Sequence, residues 1–187
     1  MAKGNLQKPL VIIGPSGAGK STIVRELVNS KIIQVHPTWT TRPPRPHEKT
    51  ESIEHIFVTE IEFDEMVRKK QFLRVVRMFN LPYRYGLTTL DFYQNKVTAV
   101  ILRASLIKEF DKFYPERIVY QILCKKERIV SLLNNREISG EKAGARLNEY
   151  DREMPLGCKL ANRSFINNNL KETLEDIERS IIVDFRN

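Results

Sequence analysis

Residues 14–21 read Gly14-Pro15-Ser16-Gly17-Ala18-Gly19-Lys20-Ser21, and this octapeptide constrains the fold more than any other stretch of the chain. The pattern G-x-x-x-x-G-K-[ST] gathers backbone N–H groups around a phosphate, which requires a strand to deliver the loop and a helix to start from it. Both neighbours are legible. Residues 9–13 form a short continuous apolar run, the signature of a strand buried on both faces of a parallel sheet. From Lys20 onward, Ile23, Val24, Leu27 and Val28 recur at helical spacing until about residue 30. A helix starting there directs its positive dipole end at the loop. Residues 14–22, Thr22 included, are therefore expected to hold the phosphates of ATP. Lys20 is assigned to the transferring phosphate and Ser21 to Mg²⁺. A loop of this kind serves hydrolases, motors and kinases alike, so the partner of the reaction must be read elsewhere.

The rest of the chain supports an α/β reading. A strand is expected at residues 32–35, then a loop or sheet edge at 36–50, where four prolines and two arginines exclude a helix interior. Thr59 and Glu62 form a capping box before a helix carrying Ile61, Met66 and Val67. A strand over residues 72–79, punctuated by Leu81-Pro82 and Gly86, suggests a small antiparallel insert. Strands at 97–102 and 117–123 then alternate with helices at 105–113 and 125–136, a succession that implies a parallel sheet. Residues 136–147 are polar, contain two glycines and lack an apolar period, so they read as a mobile lid. A last strand near Phe165-Ile166 and an amphipathic helix through Leu170, Leu174, Ile177 and Ile181 close the chain. The organisation expected is one domain over residues 1–187. Its core comprises 8–35 and 96–187, with an acceptor-binding insert at about 36–95 and a lid at about 136–147.

Composition narrows the partners. Charged residues make up 29% and hydrophobic ones 41%, ordinary globular usage that excludes disordered classes. The net charge of +8 favours an anionic partner. The basic run Arg68-Lys69-Lys70 reads as a favourable helix C-terminus, and no aromatic stacking platform accompanies it, so no nucleic acid is expected. Two cysteines, Cys124 and Cys158, lack disulfide or zinc spacing. The apolar runs are far shorter than a bilayer span, so a cytoplasmic protein without membrane contact is expected. His36 and His47 lack metal spacing, and Trp39 reads as a packing anchor.

The segment Thr40-Thr41-Arg42-Pro43-Pro44-Arg45-Pro46-His47-Glu48 puts two guanidiniums three residues apart on a proline-stiffened loop. Arginine suits bidentate recognition of a phosphate, and a stiff loop lowers the cost of ordering both forks. With GPSGAGKST before it, TTRPPRPHE resembles the acceptor loop of the guanylate kinase family, and the order of elements matches that family over nearly the whole chain. The resemblance implies a P-loop NTPase core, a nucleotide-monophosphate-binding insert and a lid. It further implies that Arg42, Arg45, Thr38 and Tyr85 hold the acceptor phosphate, that Arg136 and Arg146 close on ATP, and that Asn167 lies near the adenine. Lys20, Arg42, Arg136 and Arg146 would be the catalytic cations.

Several positions depart from the family pattern. The guanine-reading glutamate and hydroxyl fall on Arg74 and Leu87, and arginine has only donors to offer a base edge. The family's further phosphate-binding tyrosine falls on Ile56, leaving the adjacent His55 as a possible donor. Its paired aspartates after residues 97–102 are replaced by Arg103-Ala104-Ser105, so Mg²⁺ would rely on Ser21, phosphates and water, while Arg103 and Ser105 become candidates for an extra acceptor phosphate. The run Glu54-His55-Ile56 and the segment with Arg103 are also similar to ribose 1,5-bisphosphate phosphokinase, a sugar-phosphate kinase on the same frame. The intact TTRPPR favours a nucleotide acceptor. A degenerate binding module of the scaffold-protein kind is the third reading, disfavoured by the complete P-loop.

Overall fold

The computed structural model describes residues 8–45, 48, 52–77, 82–135 and 140–186. The chain forms two compact units, one from residues 1–34 and 92–187, the other from 35–91.

The first unit is built on a five-stranded sheet. Its strands are β1 (Leu10–Ile13), β2 (Ile33–Val35), β7 (Val97–Ile101), β8 (Ile118–Leu123) and β9 (Arg163–Ile166), in the order β2-β7-β1-β8-β9. The β7–β1, β1–β8 and β8–β9 pairings are parallel. All four residues of β1 are buried, as its unbroken apolar run requires. Helix α1 (Lys20–Asn29) packs Ile23, Val24 and Leu27 inward. Helices α3 (Ile107–Phe110), α4 (Lys126–Asn135), α5 (Gly140–Leu160) and α6 (Leu170–Arg186) complete the unit. Buried Tyr120 donates its hydroxyl to Asp184 of α6 (2.7 Å), and Arg163 bonds the same carboxylate, so the last helix is tied to β8 and β9.

Two expectations for this unit are revised. The helix expected at 105–113 is a 3-10 turn at Ala104–Leu106 followed by a single α turn. The polar stretch read as a lid, for which no helix was expected, is helical from Gly140, within the 21-residue α5. Its inward positions include Glu149, Glu153 and Gly157, so the helix shows no apolar period.

The second unit is a four-stranded sheet in the order β4-β3-β6-β5 with one helix. The strands are β3 (Thr38–Thr40), β4 (His55–Phe57), β5 (Phe72–Arg77) and β6 (Arg84–Thr88), and the helix is α2 (Glu60–Arg68). The capping box forms in full, with Thr59 accepting from the Glu62 N–H and the Glu62 carboxylate accepting from the Thr59 N–H. The sheet is mixed, not purely antiparallel, because β3 and β4 run parallel. Nor is β3 a loop or an edge, since it lies between β4 and β6; Pro37 and Pro43 flank it without entering its ladder.

A bulge between Phe72 and Arg74 separates two faces of this sheet. Phe72 stacks on Phe63 of α2, with ring centroids 4.6 Å apart, and lies where a side chain on Gly86 would stand. Trp39, opposite Gly86, belongs to this packed face. Register partners share a face. The other face therefore carries Thr38 with His55, Thr40 with Phe57 and Tyr85, and Arg74 with Leu87.

Candidate active site

In the first unit the phosphate loop leaves the buried end of β1 and turns into α1. Gly14 has φ +145°, and a Cβ there would stand 2.4 Å from the Ile122 carbonyl oxygen. Gly19 caps α1 at φ 90°, and a Cβ there would meet the Asn167 amide at 2.3 Å. Both positions therefore demand glycine for conformation and for space. Lys20 Nζ donates to the carbonyls of Gly14 and Pro15, at 2.8 and 2.9 Å, so the ammonium is held over its own loop. Ser16 Oγ accepts from Arg146 of α5 at 2.7 Å. The Ser21 side chain is exposed in the first turn of α1.

Asn167 is buried and donates its amide to the Ala18 carbonyl (2.8 Å), while its own carbonyl accepts from Arg128 (2.6 Å). Its side chain thus braces the phosphate loop from β9, and Arg128 is a participant that the sequence did not single out. Just beyond β7, Arg103 bonds Glu149 at 2.5 Å, and the Ser105 N–H donates to Glu153 at 3.4 Å. Arg136 lies outside the described residues.

In the second unit, the paired threonines secure β6. Thr40 Oγ1 donates to the Arg84 carbonyl, Thr41 Oγ1 accepts from the Arg84 N–H, and the Arg42 N–H donates to Thr40. The Arg42 guanidinium is consequently fixed at the strand end, 5.3 Å from the Phe57 ring centroid. It grips Glu48 with both terminal nitrogens, at 2.8 and 3.1 Å, and Glu48 also accepts from the Arg45 N–H at 2.8 Å. Glu48 is the residue the sequence displayed without a role; it aligns both arginines. Burial opposes ionisation of this carboxyl, but the bonds from Arg42 and Arg45 prevail and hold it down to about 2. Burial likewise opposes the Arg42 charge and is outweighed by Glu48, so its pKa is raised.

His55 Nδ1 lies 2.8 Å from Thr38 Oγ1, and its ring meets Tyr85 edge-on with centroids 6.0 Å apart. Burial, then the charge of Arg42, lower its pKa to about 4. Thr38, His55, Tyr85 and Arg74 are thus gathered on one sheet face, whereas Lys20, Arg103, Ser105, Arg146 and Asn167 belong to the first unit. Leu87 is buried on that same face opposite Arg74. Between pH 6.5 and about 4 the unfolded chain binds a proton at His55 that the native state refuses. Stability is therefore fully present above pH 6.5 and is lost as pH falls toward 4. In a pH series of thermal unfolding, His55→Asn should flatten the wild-type decline over this window; an unchanged slope would contradict the burial of a neutral imidazole.

The guanylate kinase family model matches residues 6–112, more than half of the chain. The chain belongs to the guanylate kinase family. Guanylate kinase of Prochlorococcus marinus is 32% identical over 143 residues, 74% of this chain and 77% of that protein. Guanylate kinase of Mycoplasmoides gallisepticum is 27% identical over 183 residues, 92% of this chain and 91% of that one. The crystal structure of guanylate kinase from Anaplasma phagocytophilum superimposes with a TM-score of 0.71 at 19% identity, covering 96% of this chain and 87% of that one. Shikimate kinase from Acinetobacter baumannii shares the fold more distantly, at TM-score 0.51 and 13% identity over 96% of both chains.

Membership makes this an ATP-dependent phosphotransferase of the guanylate kinase kind, on the P-loop NTPase fold. None of the helices among the described residues is long and apolar enough to cross a membrane.

Proposed function

We propose that the chain transfers the ATP γ-phosphate to the phosphate of a nucleoside monophosphate, nominally GMP or dGMP. The observation that carries this reading is the anion-recognising cluster of the second unit. Arg42 already grips a carboxylate with both terminal nitrogens, Arg45 adjoins it, and Thr38, His55 and Tyr85 share the neighbouring sheet face. A fork that binds a carboxylate in this manner suits two phosphate oxygens equally. In this reading residues 35–91 bind the acceptor, residues 14–22 bind ATP, Asn167 braces the loop beside the nucleotide, and residues 136–147 serve as a lid.

During transfer, an oxygen of the acceptor phosphate bonds to the γ-phosphorus as the bond to the bridging β–γ oxygen breaks, leaving ADP and a nucleoside diphosphate. Such chemistry depends on alignment and on neutralising the equatorial oxygens. Lys20, released from its loop carbonyls, would follow the transferring group, while Arg42 would hold the acceptor and Arg136 and Arg146 would approach the ATP phosphates. The donor set fits Mg²⁺, because an exposed Ser21 hydroxyl at the helix start is a hard oxygen ligand, and Mg²⁺ needs few protein ligands when phosphates and water complete its shell. Bound there, the ion would neutralise charge on the β- and γ-phosphates.

A second reading is favoured by Arg74 and Leu87, which face each other on the acceptor sheet where the family has base readers. An additional guanidinium beside the acceptor suits a sugar bisphosphate more than a guanine edge.

An ATP-consumption panel with GMP, dGMP, AMP, pyrimidine monophosphates and ribose 1,5-bisphosphate separates the readings. The proposal expects the highest kcat/KM with a purine monophosphate. It also expects discrimination between GMP and AMP below about 100-fold, since a site without matched hydrogen bonds to the base rejects analogues weakly. Turnover confined to the sugar bisphosphate would transfer the assignment to the second reading. ATP binding without turnover of any acceptor would contradict both.

A further inference from the structure

One face of α5 is fastened to the strand ends that carry the phosphate loop. Arg146, Glu149, Glu153 and Gly157 follow one another at spacings of three, four and four, so they form a single stripe along the helix. Each makes a different tie. Arg146 donates to Ser16 in the phosphate loop. Glu149 receives Arg103, which stands just past β7, while the Leu102 N–H keeps that segment on β1 through the Ile12 carbonyl. Glu153 accepts from the Ser105 N–H. At Gly157 the helix lies so close to the sheet that a Cβ would stand 2.4 Å from the Gln121 amide and 3.3 Å from Ile13.

Two further features make the Arg103 tie decisive for the end of the helix that bears Arg146. Pro155 lies inside α5 and cannot donate the backbone bond of a regular helix, so the segment before it is less stiffly coupled to the anchored Gly157. Glu149 and Glu153 are both buried, and Glu149 Oε2 and Glu153 Oε1 lack hydrogen-bond partners among the described residues. Two buried carboxylates one helical turn apart repel each other, and Arg103 places a cation against the first of them, Glu149. Without it, the stripe separates most easily at Glu149, one turn from Arg146.

We propose that Arg103 is a positioning residue which, through Glu149, holds α5 so that Arg146 stands at the phosphate loop. This assigns Arg103 to the ATP side of the reaction, in place of an added acceptor-phosphate ligand. The inference rests on the reading of Arg146 as a residue that acts on ATP phosphates.

The test is a double-mutant cycle between Arg103→Ala and Arg146→Ala, read both as ATP affinity by calorimetry without acceptor and as kcat with the best acceptor. A misplacement of about 1 Å at a reacting centre costs on the order of 10²-fold, so Arg103→Ala should lower kcat by about that factor and leave the acceptor KM within about twofold. In the Arg146→Ala background the same change should have little further effect on either readout, because Arg103 acts through Arg146. Arg103→Lys should recover part of the loss. Glu149→Gln, which keeps the side-chain shape, should reproduce the Arg103→Ala pattern and replaces it in the cycle if Arg103→Ala does not fold. Additive losses in the cycle would overturn the proposal, as would a raised acceptor KM with kcat and ATP affinity intact. A wild-type protein that binds ATP but turns over no acceptor would defeat the functional reading separately, and the affinity arm of the cycle would still decide the role of Arg103.

Discussion

Lys20→Ala is expected to reduce phosphoryl transfer by at least about 10³-fold while the protein still folds. The expectation follows from position. Lys20 sits where the loop passes into α1, and its ammonium bonds part-buried loop carbonyls, while the apolar face of α1 is built from Ile23, Val24 and Leu27. Loss of two such bonds costs folding about 1–3 kcal/mol. Removing the cation that accompanies the transferring group is far more damaging, because a preorganised charge at the developing transition state is typically worth several kcal/mol. Steady-state turnover with circular dichroism on the same sample checks both halves. Near-wild-type turnover in a folded variant would sink the assignment of Lys20.

Arg42→Ala is expected to have the second-largest effect, confined to the acceptor. Its side chain is held between Glu48 and the Phe57 ring, and only 11% of it is exposed. Truncation deletes the bidentate fork and leaves Glu48 half-enclosed with weaker support from Arg45, whose side chain is more open at 41%. We expect kcat/KM for the acceptor to fall by about 10²- to 10³-fold, with ATP affinity unchanged, the scale of losing one preorganised charge-assisted donor. Arg42→Lys should not restore it, since an ammonium cannot reproduce the planar fork. The Glu48 carboxyl should move up from about 2 toward its ordinary range, which carbon-detected NMR titration would register. An acceptor kcat/KM insensitive to Arg42→Ala would remove the second unit from the site.

These two residues were legible in the sequence because their signals are local. The phosphate loop is one unbroken pattern between a buried strand and a helix, and TTRPPR is a single hexapeptide. The capping box at Thr59 and Glu62 was legible for the same reason. What escaped was non-local. Strand β4 has three half-buried residues and no flanking alternation, and it exists because β3 pairs with it in parallel. Helix α5 was hidden because its inward stripe is made of Arg146, Glu149, Glu153 and Gly157, which an apolar period cannot reveal. Those carboxylates become meaningful only beside Arg103, 46 positions from Glu149 in the chain. Glu48 lay in plain view inside the motif, yet its function depends on the fold of the arginine loop around it.

The departures from the family pattern also take on physical form. Arg74 and Leu87 are partners across β5 and β6, so they change one patch of a single sheet face together. Arg103 is matched by Glu149, so the loss of the family's aspartates after β7 is accompanied by a carboxylate from α5.

The most direct test of the central claim follows the transferred phosphate itself. The protein is incubated with ATP labelled at the γ-phosphate and with GMP, and the products are separated. The account predicts label in the β-phosphate of GDP, formed one-for-one with ADP. Label recovered only in inorganic phosphate, with GMP unchanged, would contradict it.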